Sequence, residues 1–216
     1  VFITNSEGIL IVGASSVSRI IAKYLNDNNR HVVLVDNNAA NIRKAKALGI
    51  EAIEGSVYSD DLLNNIELSD IGYLMAITGN SDINKTAIQK FQKQFGEQGS
   101  FRLISADEMN DPETNPEEGL FSHTDDFIKL TEVSRNFPKI NEIVLNSREH
   151  YDGIIEISKT DTEMVPLFVK NNEGDLKIIP SHSQEVEIKE GFQLVYLGKE
   201  IQPKEETLES EKDTIE

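Results

Sequence analysis

The chain has 216 residues, with 38 Asp and Glu against 21 Lys and Arg, so its formal net charge is −17 and its isoelectric point is about 4.6. This balance argues against nucleic acid as a partner, because binding a phosphate backbone requires clustered cationic side chains. With 38% hydrophobic and 27% charged residues, the composition is that of a globular protein that buries a substantial core.

The composition also disfavours metal and thiol chemistry. There is no cysteine, which excludes disulfides, thiolate ligands and a cysteine nucleophile, and the four histidines are far apart in the sequence. We therefore predict no metal site. No apolar run approaches the roughly 18 residues of a membrane span, and no basic-then-apolar leader precedes the first strand. Because the chain starts at Val1, we interpret it as part of a longer protein, and as a part that does not itself insert into a membrane.

The first half of the chain alternates short apolar runs with amphipathic stretches, as βαβ units do. The segment 71–77 is almost entirely apolar, which is typical of a strand buried on both faces. We predict an α/β fold, a Rossmann-like parallel sheet with helices on both faces. The predicted strands are 8–13, 31–36, 50–54, 71–77 and 101–106, and the predicted helices are 16–28, 38–48, a short one opening at 59–61, and 81–96 with Ser81 as its cap.

The second half of the chain has a different residue pattern. Prolines and acidic residues in 107–118 predict a solvated loop without a helix, and a helix follows over 127–137, closed by Pro138. From Ile140 onward the hydrophobic period is two, which predicts a small β-rich (α+β) domain. Its predicted strands include 154–157, 167–169, 176–179, 186–188 and 192–197. The predicted domains are 1–138, 139–198, and an acidic disordered tail over 199–216.

A candidate nucleotide site lies where the first strand turns into the first helix. In the mononucleotide-binding unit, helix N-terminal amides meet a phosphate, and an acid ending the next strand meets the ribose diol. Here Gly13 occupies the tight-turn position, Ser15 and Ser18 replace the second and third glycines, and Asp36 ends the next strand. A carboxylate at this point favours NAD or an adenine mononucleotide over NADP. The structural alternative is that Gly13 serves only the turn and Asp36 only caps the next segment.

Other residues are candidates because the carboxyl ends of parallel strands meet at one edge of the sheet. Arg19 in the first helical turn is a candidate phosphate partner or, alternatively, a solvated side chain. Thr78 and Gly79 end the fourth strand and line the crevice or simply form its turn. The full set of candidate nucleotide-binding residues is Gly13, Ala14, Ser15, Ser16, Val17, Ser18, Arg19, Asp36, Asn37, Gly55, Ser56, Thr78 and Gly79.

Catalytic motifs are missing from the sequence. There is no GxSxG elbow, and no tyrosine is followed four residues later by lysine, as a short-chain dehydrogenase requires. We therefore predict a nucleotide-binding protein that is not an enzyme and has no catalytic residues.

Several segments resemble the TrkA-type family, also called the regulator of potassium conductance (RCK) family. In the first half these are 8–36, the passage 47–55, and Thr78 with Asn84. The second half resembles the companion C-terminal domain of that family at 165–169, 178–180 and 190–198. The chain departs from the family pattern at Ser15 and Ser18, at Ser56 where an acid is common, and at 105–106 where an arginine is common.

The resemblance implies a regulatory module of a potassium channel, potassium uptake system or cation:proton antiporter, on the cytoplasmic side of the cell membrane. The layout most resembles the C-terminal cytoplasmic part of a sodium or potassium:proton antiporter. The implied regulatory ligand is NAD or NADH, or an adenine nucleotide (AMP, ADP or ATP). The implied partners are a second copy in a homodimer and the membrane-embedded transporter domain of the same longer chain. Two alternatives remain open, an NAD-dependent Rossmann oxidoreductase and a degenerate dimerisation scaffold without a ligand.

Overall fold

Two β-sheets organise the protein in a computed structural model, which describes residues 7–64, 68–96, 99–114, 116–121, 126–181 and 186–202. Most of the predicted acidic tail therefore lies outside the described residues. In chain order the elements up to the sixth strand are β1 (Gly8–Val12), α1 (Ser16–Asp27), β2 (Val32–Asp36), α2 (Ala39–Ala47), β3 (Glu51–Glu54), β4 (Ile71–Ala76), α3 (Ser81–Phe95), β5 (Gly99–Leu103), α4 (Ala106–Met109), a 3-10 turn (Pro116–Glu118) and β6 (Gly119–Leu120). The later elements are α5 (Phe127–Asn136), β7 (Ile140–Val144), α6 (Arg148–Ser158), β8 (Met164–Lys170), β9 (Leu176–Ile178) and β10 (Gln193–Gly198).

The first sheet is parallel throughout and has the order β3-β2-β1-β4-β5-β6. Successive strand residues contribute to opposite faces, as the pleat dictates. Ile11 and its neighbours pack in the cluster that contains α1, whereas Leu10 and its neighbours pack in the cluster that contains α3. The predicted Rossmann-like α/β sheet, with helices on both faces, is confirmed.

The second sheet is antiparallel, with the order β7-β10-β8-β9 and α6 in the connection between β7 and β8. A tight turn at Gly174, which has φ of 89°, joins β8 to β9. The predicted small β-rich domain is confirmed in its class. Its boundaries at 139 and 198 stay a prediction. Within the described part of the chain, no helix is long and apolar enough to cross a membrane.

The predicted strand at 154–157 is wrong, because this segment belongs to α6. The Ser147 side chain accepts a hydrogen bond from the His150 amide at 3.1 Å and so caps the helix. Tyr151, Ile154 and Ser158 are buried on one helical face. The apolar run around Ile154 resembles a strand, but the cap and the i, i+3, i+7 burial determine the structure.

The segment 107–118 is not the helix-free solvated loop that we predict from its prolines and acids. It contains part of α4 and the 3-10 turn, because the Ser105 side chain caps α4 and Arg102, buried in β5, forms ion pairs with Glu108 at 2.7 Å and Glu118 at 3.5 Å. Burial alone would raise the pKa of Glu108. Hydrogen bonds from Ser81 and Arg102 outweigh that effect and hold the pKa below its usual range.

Four further expectations need correction. The helix expected at 59–61 is a series of turns, closed in part by the Ser59 amide bonding to the Ser56 carbonyl at 3.0 Å. The cap of α3 is Asn80, whose side chain accepts from the Asp82 and Ile83 amides, and not Ser81. The fifth strand starts at Gly99 and ends at Leu103. Residues 186–188 form no strand.

Candidate functional site

The turn between β1 and α1 depends on Gly13. Its φ is 106°, in the region that favours glycine, and a Cβ atom there would overlap the Ile77 carbonyl oxygen. Ser15 is the N-cap of α1, but its side chain makes no capping hydrogen bond; its hydroxyl lies 3.4 Å from the Ser18 hydroxyl. The N-terminus of α1 therefore opens at the carboxyl edge of the sheet without a side-chain cap, in the arrangement that binds anions.

Asp36 is fixed beside this turn by three hydrogen bonds. Its Oδ2 accepts from the Ala14 amide at 2.8 Å and from Asn41 Nδ2 at 3.1 Å, and its Oδ1 accepts from the Asn38 amide at 2.9 Å. A carboxylate offers about four lone-pair positions, so Oδ1 retains acceptor capacity for a ligand hydroxyl. The acid predicted to bind ribose is thus held in place before any ligand arrives.

Arg19 supports the turn from behind. Its Nη1 donates to the Ala14 carbonyl at 2.6 Å and lies 3.3 Å from Asn41 Oδ1. Burial lowers the pKa of the Arg19 guanidinium from its ordinary value, and the nearby Asp36 carboxylate opposes this shift. In this arrangement Arg19 stabilises the turn between β1 and α1 through its contact with the Ala14 backbone.

One crevice brings together six of the candidate residues, namely Gly13, Asp36, Asn37, Gly55, Ser56 and Thr78. It is also lined by Val57, Tyr58 and Ile83, which sequence reasoning missed. Tyr58 is 60% exposed, and an aromatic residue just after the third strand was the available signal in the sequence.

Two other candidates lie behind the crevice. Val17 and Ser18 are buried between α1 and the sheet, and the Ser18 hydroxyl donates to the Ile77 carbonyl at 3.4 Å. Ser18 therefore occupies the position where the third glycine allows close contact between helix and strand. Ser16 begins α1 and is exposed.

Thr78 separates this crevice from a second cavity towards β5. The Thr78 hydroxyl donates to Asn84 Oδ1 at 2.6 Å, and Asn84 Nδ2 donates back to the Thr78 carbonyl at 3.1 Å, which fixes the end of β4. Gly79 lines the second cavity together with Ser105 and Phe127. Across the described ranges, no three His, Asp or Glu residues form a group that could hold a metal ion.

Comparison with known proteins agrees with this geometry. Residues 9–110 match the family model of the TrkA-N domain. This part of the chain is similar to TrkA-N domains. A curated relative, the Trk system potassium uptake protein TrkA homolog 2 of Methanosarcina mazei, is 31% identical over 78 residues. That match spans 36% of this chain and 17% of the relative.

Solved structures show more remote likenesses. The TrkA-N domain of inner membrane protein ybaL from Escherichia coli has 19% identity and a TM-score of 0.33, covering 42% of this chain and 68% of that one. The GsuK channel bound to NAD has 15% identity and a TM-score of 0.40, covering 88% and 37%. At these TM-scores neither likeness carries a functional argument.

Proposed function

We propose that this chain is the regulatory nucleotide-binding part of a monovalent cation transporter, and specifically of a cation:proton antiporter. In this proposal NAD(H) or an adenine nucleotide binds the crevice and biases transport. The chain acts on the cytoplasmic side of the membrane, as a homodimer attached to the membrane-embedded transporter domain of the same longer protein. Regulation of this kind needs only different affinities for two states and no reaction.

The observation that carries the proposal is the position of Asp36 within the part of the chain that is similar to TrkA-N domains. Its carboxylate accepts a hydrogen bond from the Ala14 amide, and Asp36 lines one crevice together with Gly13, so a diol acceptor and the turn that leads into the N-terminus of α1 lie side by side. These are the two groups that bind the ribose and the phosphate of a nucleotide. The association with potassium uptake is supported by the name of the Methanosarcina mazei relative.

Isothermal titration of the purified chain with NAD, NADH, NADPH, AMP, ADP and ATP tests the proposal. We expect binding of NAD(H) or an adenine mononucleotide, weaker binding of NADPH, and a loss of about 1–3 kcal/mol in binding free energy for Asp36→Ala. Glu173→Ala is the matched control, because it removes an exposed acid in the turn between β8 and β9. Circular dichroism without ligand checks that Asp36→Ala still folds.

Failure has two forms with different meanings. If the wild-type chain binds none of the six nucleotides, the regulatory proposal is wrong and the ligand-free scaffold replaces it. If bound NADH instead reduces a carbonyl compound to an alcohol, the oxidoreductase replaces it.

A further inference from the structure

We propose that Tyr58 is the platform on which an adenine base stacks, and that Lys90 is the residue that positions it. The inference rests on the proposed function, since it identifies the ligand base in the same crevice. It concerns a side chain that neither the glycine turn nor the acid at Asp36 implies.

The loop that carries Tyr58 is held rigidly, although the tyrosine itself is exposed. The Ser56 hydroxyl accepts from the Tyr58 amide at 3.2 Å, and the Ser56 carbonyl accepts from the Ser59 amide at 3.0 Å. Val57 is buried in the core between the sheet and α3. An aromatic ring that is 60% exposed on such a fixed loop is available to a ligand with little loss of conformational entropy.

Lys90 fixes the backbone on both sides of the tyrosine. From α3 its Nζ donates to the Val57 carbonyl at 2.9 Å and to the Ser59 carbonyl at 2.7 Å, and it lies 3.5 Å from an Asp60 carboxylate oxygen. These contacts bracket Tyr58 in the sequence. A lysine that bridges two loop carbonyls positions the residue between them without itself lining the crevice.

The strand order places a base, and not a phosphate, beside Tyr58. Along the carboxyl edge, the phosphate turn at Gly13 follows β1, the ribose acceptor Asp36 ends β2, and Tyr58 follows β3. Adjacent strands lie about 4.8 Å apart, so phosphate, ribose and base of one nucleotide match three neighbouring strands in turn. Ile83 adds an apolar wall from α3. An aromatic face and an aliphatic wall suit a flat purine.

Titration with AMP, and competition against AMP by ribose 5-phosphate, test this assignment. We expect Tyr58→Ala to weaken AMP binding about tenfold or more, the scale of aromatic stacking on a base, and Tyr58→Phe to retain it. Ribose 5-phosphate lacks the base, so its affinity should be the same in Tyr58→Ala as in wild type. If Tyr58→Phe loses as much AMP affinity as Tyr58→Ala, the stacking assignment is wrong. It is also wrong if Tyr58→Ala weakens AMP and ribose 5-phosphate equally.

A spectroscopic test uses the fact that the chain contains no tryptophan. Tyr58→Trp therefore places a single indole on the platform. Stacking on adenine should quench its fluorescence on addition of AMP, and ribose 5-phosphate should leave the signal unchanged. Fluorescence that does not respond to saturating AMP overturns the assignment.

The role of Lys90 is tested by a double-mutant cycle. Lys90→Met should weaken AMP binding in the wild-type background and have no further effect in Tyr58→Ala, because it acts only through the tyrosine. Equal losses in both backgrounds would contradict a positioning role. If AMP binding is lost in Asp36→Ala but unaffected by Tyr58→Ala, only the adenine platform fails; if the wild-type chain binds no nucleotide, both proposals fail.

Discussion

At the scale of single residues, the glycine turn shows which departures from the dinucleotide pattern a fold tolerates. The third position tolerates a serine because the Ser18 hydroxyl donates to the Ile77 carbonyl at 3.4 Å across the contact between α1 and the end of β4. Ser15 leaves its hydroxyl beside Ser18 and free of capping bonds to α1. Gly13 has no such solution, since its φ is positive and the space for a Cβ atom is occupied. The two serines are therefore compatible with the conformation of this turn, whereas only glycine fits at position 13.

Gly13→Ala should destabilise the protein by about 2 kcal/mol or more, because the alanine is strained at φ of 106° and its methyl group meets the Ile77 carbonyl. The measurement is the free energy of unfolding in urea. Gly153→Ala is the control, since Gly153 lies inside α6 and the methyl group of an alanine there would meet nothing within 4 Å. This second change should stabilise the protein by about 0.5–1 kcal/mol. Equal changes at the two glycines would contradict the steric argument.

At the scale of elements, the sequence correctly predicts the helices and strands whose capping and terminating residues lie next to them in the chain. Asn38 caps α2, as expected, by accepting from the Ala40 and Asn41 amides, and Gly49 follows the end of that helix with φ of 76°. The strand predicted over 154–157 is wrong. The apolar run there fits both a helical and a strand period, and Ser147, the cap of α6 that decides for the helix, lies seven residues upstream. The two-residue strand β6 was missed, since it is defined by pairing with β5, which no local pattern announces.

The candidate site follows the same division. The residues that a motif specifies, such as Gly13 and Asp36, could be predicted and line the crevice together. Ile83 could not, because it reaches the crevice through the packing of α3. For Tyr58 the sequence signal was its position just after the third strand, but the path of its loop brings it to the crevice. Such placements depend on tertiary structure, which local pattern does not encode.

The amino edge of the parallel sheet contains a pH-dependent contact between elements. His31, just before β2, has Nδ1 2.9 Å from both Asp70 oxygens and Nε2 2.8 Å from Glu51 Oε2 at the start of β3. Burial would lower the pKa of His31, but its hydrogen bonds to Glu51 and Asp70 outweigh this and raise the pKa above the ordinary 6.5. Only the imidazolium can donate to both carboxylates at once.

A raised folded-state pKa means that His31 stabilises the fold fully below about pH 6.5 and that this contribution is lost as the pH rises through the folded-state pKa. The stability gap between wild type and His31→Gln should therefore be largest near pH 6 and shrink by pH 9. We expect at most about 1 kcal/mol, because the ring is partly exposed. Urea unfolding across this pH range measures it. Asp70→Asn should reduce the pH dependence of this stability difference. A difference between wild type and His31→Gln that does not change with pH would refute the prediction.

At the scale of the whole molecule, the two sheets share one hydrophobic core. Phe168 and Val195 of the second sheet lie in the same buried cluster as Ile21 of α1. The Phe168 ring stacks on Tyr24 of α1 with centroids 6.4 Å apart, and the Tyr24 hydroxyl donates to Glu142 of β7 at 2.6 Å. Helix α1 thus begins just after the turn at Gly13, which lines the candidate crevice, and its later turns pack against the second sheet. A ligand that orders the turn acts on an element that both sheets share.

This shared core predicts that the two sheets open together. Phe168→Ala should cost about 3–5 kcal/mol and separate them, because it removes the ring between α1 and the second sheet. Hydrogen exchange of peptides covering β2 and β10 should report one opening free energy in the wild type and two different values in the variant. Phe91→Ala is the control, since Phe91 is buried in the cluster on the opposite face of the parallel sheet. Phe91→Ala should lower the opening free energies of the β2 and β10 peptides together. If these two opening free energies already differ in the wild type, the sheets open independently and the prediction is wrong.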